Sequence, residues 1–186
     1  MVDADRRRPR YASRAVTDDE AIRRFLERQA WGVLVTVDGD EPVPTPLHYV
    51  YEPDPHAIAV HLSPEGRTAT VAADGSPGAF TVATMGGIFH AEEAGTFDTE
   101  YESVVAHGQV GVLEEADAKR SVLARLLAKY APHSVPGDDY RAITDGEVDR
   151  TAIIRLEIED WSGKRNEADS GDETSPFDPD WRSVLD

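Results

Sequence analysis

Runs of β-favouring residues separated by tight turns are the feature that most constrains this fold. Residues 31–37 (WGVLVTV) are rich in β-branched side chains and stop at Asp38-Gly39-Asp40, after which residues 43–51 return. An Asp-Gly pair between two apolar runs is a strong signal of a β-hairpin. The sequence therefore predicts antiparallel strands joined by short turns.

Further strands and a few helices follow from the same patterns. Residues 57–62 alternate, which places Ile58 and Val60 on one predicted face and His61 on the other. Pro44 and Pro46 cannot donate to a ladder, so their strand is expected to have an edge, a bulge or a ligand beside it. Three more strands are predicted at residues 79–84, 101–113 and 152–159, and helices at residues 17–30, 68–73 and 116–130, whereas the glycine-rich residues 85–99 remain ambiguous.

The order of these elements predicts the fold class. Strands succeed one another as hairpins and crossover helices are missing, which favours an α+β, mainly antiparallel protein whose strands close into a small barrel. The first helix is expected to begin with a capping box formed by Thr17 and Glu20. We expect an N-terminal arm at residues 1–15, one domain at 16–164 and an acidic, flexible tail at 165–186.

The amino-acid composition limits which partners the chain could bind and which cellular compartment suits it. The 186 residues include 36 Asp and Glu against 19 Lys and Arg, for a net charge of −17, and only Lys119, Lys129 and Lys164 are lysines. Such a balance predicts a halophilic cytosol, with an ordinary acidic protein as the alternative, and it argues against nucleic acid as a partner. No apolar run suits a membrane span and cysteine is absent. The sequence predicts a soluble, cytoplasmic protein.

Familiar catalytic motifs are missing from the sequence. It contains no dinucleotide-binding glycine motif, no phosphate-binding P-loop and no nucleophile elbow. The six histidines show no i, i+2 or i, i+4 spacing of the kind that holds a metal. We therefore predict no metal site, with one assembled from distant strands as the alternative, and the catalytic residues stay unassigned.

One basic residue stands out in this acidic chain. Between Arg28 and Lys119 the sequence holds a single cation, Arg67, which follows a predicted strand and precedes a predicted helix. A helix start offers free backbone N–H groups, and the neighbouring Ser63 and Thr68 add hydroxyls, so the segment has the components of a phosphate site. The alternative is a capped turn with a solvent-facing arginine.

Four segments carry a resemblance to a known family. Residues 61–68 (HLSPEGRT) resemble the H-x-A/S-x-E-G-x-K segment of the pyridoxamine-5′-phosphate-oxidase-like flavoproteins, in particular the branch of the nitroimidazole-resistance proteins. Residues 43–51, 101–108 and 161–164 are similar, in the same order, to that family's "vPlxfvy", "YeSVvxxG" and "tGK" segments. The resemblance extends over roughly residues 12–164.

The resemblance implies a six-stranded split β-barrel with flanking helices, a homodimer, and FMN bound in clefts at the subunit interface. Its motifs imply that Ser63, Gly66, Arg67 and Thr68 hold the FMN phosphate. The family's usual lysine falls at Thr68, so phosphate binding is weakened unless Arg67 or a partner's cation substitutes for it. The remaining implied contacts are His61 beside the ribityl chain or the ring, and Pro46, Leu47, Ser103, Val104 and Lys164 along the cleft.

Three functions remain open on this evidence. The first is an FMN-dependent oxidoreductase that passes electrons from a reduced nicotinamide to a small nitro compound or quinone, with His61 or His107 as a proton donor. The second is a non-catalytic flavin- or haem-binding protein on the same scaffold. The third is oxidation of pyridoxamine phosphate, which the cation-poor middle of the chain disfavours.

Overall fold

The computed structural model describes residues 8–168 and 174–176. The chain divides into two compact units. The first, here called the barrel unit, comprises Asp18–Val82 and Val104–Trp161. The second, here called the extension unit, comprises Met1–Thr17, Ala83–Ser103 and Ser162–Asp186.

Helices and strands follow the hydrophobic patterns of the chain. The helices are α1 (Asp19–Arg28), α2 (Arg67–Ala73), α3 (Ala116–Tyr130) and α4 (Asp145–Asp149). The strands are β1 (Ala15–Val16), β2 (Trp31–Asp38), β3 (Glu41–Glu52), β4 (Ala57–Leu62), β5 (Ser76–Phe89), β6 (Asp98–Val112), β7 (Ala152–Asn166) and β8 (Thr174–Ser175). No helix in the described part of the chain is long and apolar enough to cross a membrane.

Six strands form a ring in the barrel unit. Their order is β7-β4-β3-β2-β5-β6, and β6 pairs again with β7. The pairings of β2 with β3 and β5, and of β4 with β3 and β7, are all antiparallel. The predicted α+β, mainly antiparallel architecture is therefore confirmed.

Two groups of apolar side chains stabilise the barrel unit. The first includes Leu34, Tyr49 and Phe80, each at most 1% exposed. Phe80 requires a glycine at position 32, because a Cβ at Gly32 would lie 2.2 Å from the Phe80 ring. The second group packs α3 against strands β3, β4 and β7 and consists of Val50, Ala59, Val122, Leu126 and Ile153.

The predicted hairpin lies between β2 and β3. Asp38 pairs with Glu41 across the turn, and Gly39 adopts a φ of 62°, which favours glycine. Residues 41–48 of β3 pair with β2, while only residues 49–52 pair with β4. Among the described pairings, the part of β3 that contains Pro44 and Pro46 is therefore paired on one side only, with β2. Such an edge is what the missing N–H groups of the two prolines predict.

Several boundaries differ from the sequence-based predictions. The α1 cap is Asp18, whose carboxylate accepts from the Glu20 N–H at 3.0 Å, so the capping box at Thr17 was wrong. The ambiguous residues 85–99 extend β5 and β6 around a short 3-10 turn. Helix α4 was not predicted, although its start carries a capping box of Thr144 and Glu147.

The extension unit contains the paired ends of the long strands. Strand β1 pairs with residues 163–164 of β7, and β8 pairs with residues 88–89 of β5. The Arg14 guanidinium lies 2.6 Å from the Asp98 carboxylate. Residues 1–7, 169–173 and 177–186 lie outside the described residues, so the arm, the domain limits and the flexible tail stay predictions.

Candidate functional site

The loop between β4 and α2 is the centre of the predicted phosphate site. The Gly66 N–H donates to the Ser63 carbonyl at 3.1 Å, which closes a turn immediately before α2. A Cβ at Gly66 would lie 3.2 Å from the Ser63 carbonyl oxygen, so the turn is tight. Gly66 caps α2 without a side-chain hydrogen bond, and the Ser63 side chain is exposed. The loop therefore presents a hydroxyl beside first-turn amides that no capping side chain occupies.

A hydrogen bond joins this loop to β3. The hydroxyl oxygens of Thr45 and Thr68 lie 2.8 Å apart, and Thr68 is only 6% exposed. The start of α2 is thereby held beside the segment that contains Pro46 and Leu47. The structure thus brings together the residues predicted to hold the FMN phosphate and two of those predicted to contact its ring. The Thr68 hydroxyl is used in this bond, which leaves its backbone as the free contact.

Arg67 is paired with the tip of the β2–β3 hairpin. Its Nε donates to the Asp38 carboxylate at 2.8 Å, and its two terminal nitrogens donate to the two Glu41 oxygens at 3.2 and 2.7 Å. The Arg67 side chain is 48% exposed. These hydrogen bonds, followed by the attraction between the charges, lower the pKa of Glu41. Arg67, the single Lys or Arg between Arg28 and Lys119 in the sequence, is therefore accessible but already engaged by two carboxylates.

His61 lines an apolar pocket. Its side chain is exposed, opposite the buried face of β4 that carries Val60. The pocket has a volume of about 390 Å³ and is bounded by His48 and His61 on one side. Although the residue as a whole is exposed, partial burial of its imidazole, and secondarily the nearby His48, lowers the pKa of His61. The other walls come from α3 and the α4 region: Leu123, Leu126, Leu127, Tyr130, Ala131, Ile143, Glu147 and Thr151.

A family model agrees with the segments described above. The model for pyridoxamine 5′-phosphate oxidase matches residues 18–165. The chain belongs to this family. No curated protein matches the chain.

Solved structures show the same split-barrel fold. The flavocytochrome Anf3 from Azotobacter vinelandii has a TM-score of 0.75 at 21% identity, over 95% of this chain and 78% of that one. The FAD and haem binding protein from Mycobacterium smegmatis has a TM-score of 0.73 at 23% identity, over 88% and 84% of the two chains. A protein described as a candidate 5-nitroimidazole antibiotic resistance protein from Bacteroides thetaiotaomicron has a TM-score of 0.66 at 18% identity, over 81% and 85%. The predicted six-stranded split barrel is confirmed.

The remaining residues implied by the family resemblance are Ser103, Val104 and Lys164, and no hydrogen bond within the described residues joins them to the loop of residues 63–68. Val104 is 2% exposed in the barrel unit, and its carbonyl accepts from the Thr81 hydroxyl at 3.4 Å. Its side chain therefore packs in the core and only its backbone remains for a ligand. Ser103 and Lys164 belong to the extension unit, where the Lys164 ammonium lies 5.0 Å from the centre of the Tyr101 ring. Their roles in this family member stay predictions.

Four residues of the site were not predicted from the sequence. Asp38 was identified only as a turn residue and Glu41 was not singled out, while Thr45 was one residue of a predicted strand and His48 one of six scattered histidines. Alternation along β3 would have placed His48 on the same face as Pro46, because side chains two apart share a face. No local pattern indicates that the hairpin tip meets Arg67. Among the described residues, no group of three His, Asp or Glu side chains could hold a metal.

Proposed function

We propose that this chain is an FMN-binding oxidoreductase that reduces a small acceptor, of the nitro-compound or quinone type, with electrons from a reduced nicotinamide. The observation that carries the proposal is the loop of residues 63–68, held against β3 by the hydrogen bond between Thr45 and Thr68. Family membership and a fold shared with a flavocytochrome and a FAD-binding protein support a flavin. The choice of FMN rests on the phosphate-type loop.

The loop fits a terminal phosphate through three kinds of donor. First-turn amides of α2 lack a side-chain cap, Ser63 exposes its hydroxyl, and Arg67 exposes part of its guanidinium. Backbone amides and a planar guanidinium both suit phosphate oxygens. Thr68 adds no charge at the position of the family's usual lysine, so Arg67 supplies the cation after releasing Asp38 and Glu41.

The open edge of β3 fits the polar rim of a flavin ring. Residues 41–48 pair with β2, and the described pairings place no strand along their other edge until residue 49. Backbone groups around Pro46 and Leu47 are thus available to orient a ring system. The flavin would supply the electron-transfer chemistry, while the chain positions it and excludes competing reactions.

The outer face of the hairpin fits a subunit interface. Alternate residues of β2 lie on one face together with the prolines of β3 that pair with them. Trp31 and Val37 on this face are 56% and 44% exposed, and Val33 and Val35 between them are half-buried. An apolar strip of this kind marks an interaction surface, so we propose that it forms the homodimer.

The dimer is tested by placing a charge on that face. Val37→Asp should give a monomer in light scattering coupled to size-exclusion chromatography, because a buried unpaired carboxylate is costly. Val135→Asp is the matched control, since Val135 is also exposed (52%) but lies in a loop. A wild-type protein that is monomeric at all concentrations would contradict the dimer.

Cofactor binding is tested with purified protein and FMN. We expect flavin absorbance bands that shift on binding, bleach when a reduced nicotinamide is supplied, and return when an acceptor then reoxidises the flavin. Arg67→Ala should weaken FMN binding by about tenfold or more at fixed salt, because it removes a charged hydrogen-bond donor. Arg24→Ala, an exposed arginine on α1, should not. Absent FMN binding would refute the proposal, and bound FMN that no nicotinamide reduces would leave a non-catalytic flavin protein.

A further inference from the structure

We infer that the pocket between α3, the α4 region and the histidine ends of β3 and β4 binds the acceptor, and that this molecule is uncharged, aromatic, one or two fused rings in size, and polar along one edge only. The role as acceptor rests on the proposed function. Binding of such a molecule to the pocket does not.

The size and walls of the pocket define the apolar part of the ligand. Its volume of about 390 Å³ falls in the range of small-molecule sites. Leu123, Leu126 and Leu127 of α3 form one wall and Ile143 contributes another. Leu126 is 5% exposed and belongs to the core beneath α3, so this wall is preformed.

Aromatic rings form the side next to β3. The His48 ring lies 4.3 Å from Trp31 and 4.7 Å from Tyr130, measured between ring centres. The Tyr130 hydroxyl lies 2.8 Å from the carbonyls of Ala30 and Tyr49 and accepts from the Tyr49 N–H at 3.0 Å. Tyr130 therefore presents its ring and not its hydroxyl to a ligand, which favours a flat, aromatic guest.

The polar side chains of the pocket differ in whether they are already hydrogen-bonded. The Thr151 hydroxyl donates to the Glu147 carbonyl at 2.8 Å. The Glu147 carboxylate accepts from Arg141 at 2.7 and 3.0 Å and from Thr144 at 2.8 and 2.9 Å. In contrast, neither the His48 imidazole nor the His61 imidazole makes a side-chain hydrogen bond within the described ranges. Among the side chains that line the pocket, the two imidazoles are therefore the groups left to hydrogen-bond with a ligand.

The charges around the pocket exclude an anion. Glu147 lines the pocket, and the lining contains no Lys or Arg. Its carboxylate is already neutralised by Arg141, so a cation gains no free partner either. An uncharged molecule avoids the cost of moving an ion into apolar surroundings. This distinguishes the pocket from the loop around Arg67, which suits phosphate.

The pocket adjoins the segments predicted to hold the flavin. His48 directly follows Leu47, and His61 lies two residues before Ser63. The same imidazoles that bound the pocket therefore belong to the two chain segments that carry the proposed ring and phosphate contacts. This continuity is why we assign the pocket to the acceptor and not to an unrelated ligand.

The test is calorimetric titration of FMN-free protein with 2-naphthol and with 2-naphthoate, its anionic counterpart near neutral pH. We expect one 2-naphthol site per chain and binding of 2-naphthoate at least about tenfold weaker. Ala131→Leu, which fills the pocket wall, should abolish 2-naphthol binding, whereas Ala128→Leu, the same change on the exposed face of α3, should not. His61→Leu should weaken binding by about fivefold through loss of a neutral hydrogen bond, and it tests the site independently if Ala131→Leu fails to fold.

Equal affinity for the two naphthalenes, or 2-naphthol binding that survives both Ala131→Leu and His61→Leu, would overturn the inference. The inference would also be overturned if added haem gave a Soret band that depends on His61 while the titration with 2-naphthol gave no heat of binding. A separate FMN titration distinguishes the two proposals. If FMN fails to bind while 2-naphthol binds as expected, the pocket is upheld as a binding site and its role as acceptor site is lost.

Discussion

Removing the Glu41 charge should strengthen FMN binding, although it breaks an ion pair of the folded chain. Arg67 donates three hydrogen bonds to Asp38 and Glu41, two of them to Glu41. A phosphate that takes the guanidinium must displace these carboxylates. Glu41→Gln removes the competing charge, keeps the side-chain length and leaves Arg67 in place.

The expected size of the effect follows from exposure. The Glu41 and Asp38 side chains are 67% and 47% exposed, so solvent screens both pairs strongly. An exposed ion pair typically contributes little to a free energy, which corresponds to a change of up to about fivefold in a binding constant. We therefore expect FMN to bind about fivefold more tightly to Glu41→Gln at low salt. The gain should shrink as salt rises, because screening weakens the internal pair in the wild type as well.

The assay is titration of FMN fluorescence at several fixed salt concentrations. Glu114→Gln is the control, because Glu114 is exposed and its replacement changes the net charge equally. Tighter binding in both variants would mean that only the overall charge matters. If Glu41→Gln weakened FMN binding as much as Arg67→Ala does, the carboxylate would position the arginine and the competition argument would be wrong.

Three further predictions concern stability. Gly108→Ala should lower the free energy of unfolding in urea by more than about 3 kcal/mol, because its Cβ would lie 1.7 Å from the Glu157 carbonyl oxygen. Gly111→Ala is the control and should change this free energy little, because a Cβ there would meet nothing within 4 Å. Glu52→Gln should cost about 3 kcal/mol, because this carboxylate, 4% exposed, accepts from two arginines at 2.9 and 3.0 Å. Burial lowers the pKa of Lys129 to about 8, so the unfolded chain binds the lysine proton more tightly than the folded chain does. The free energy of unfolding should therefore rise from pH 8 to pH 10 in the wild type. The same rise should be absent in Lys129→Met.

Local patterns predicted the strands whose signals were strong. The β2–β3 hairpin follows from Asp38-Gly39, and β4 from the alternation around His61. Helix α3 begins and ends where its apolar stripe does, at residues 116–130. Residues 85–99 resisted prediction because they continue β5 and β6 beyond their alternating parts, and long-range pairing decides where such strands end.

The site was harder to predict than the fold. The β4–α2 loop could be identified because its residues share a short segment, from Ser63 to Thr68. Its partners could not, because Thr45 lies 23 residues from Thr68 in sequence and Asp38 of the hairpin tip lies 29 residues from Arg67. Tertiary contacts of this kind leave no periodic signal in a single sequence.

The Thr45–Thr68 hydrogen bond joins the proposed phosphate loop to β3, and a double-mutant cycle tests whether it positions that loop for FMN. Thr68→Val and Thr45→Val each remove one hydroxyl at nearly constant volume, and each should cost about 1 kcal/mol of stability because the other hydroxyl loses its partner. Both should also weaken FMN binding several-fold, since the start of α2 is no longer held beside β3. The double variant should be no worse than either single one, because the interaction is already lost after the first change. Additive losses in both stability and FMN affinity would show that the two hydroxyls act separately, and the loop would then owe its position to packing alone.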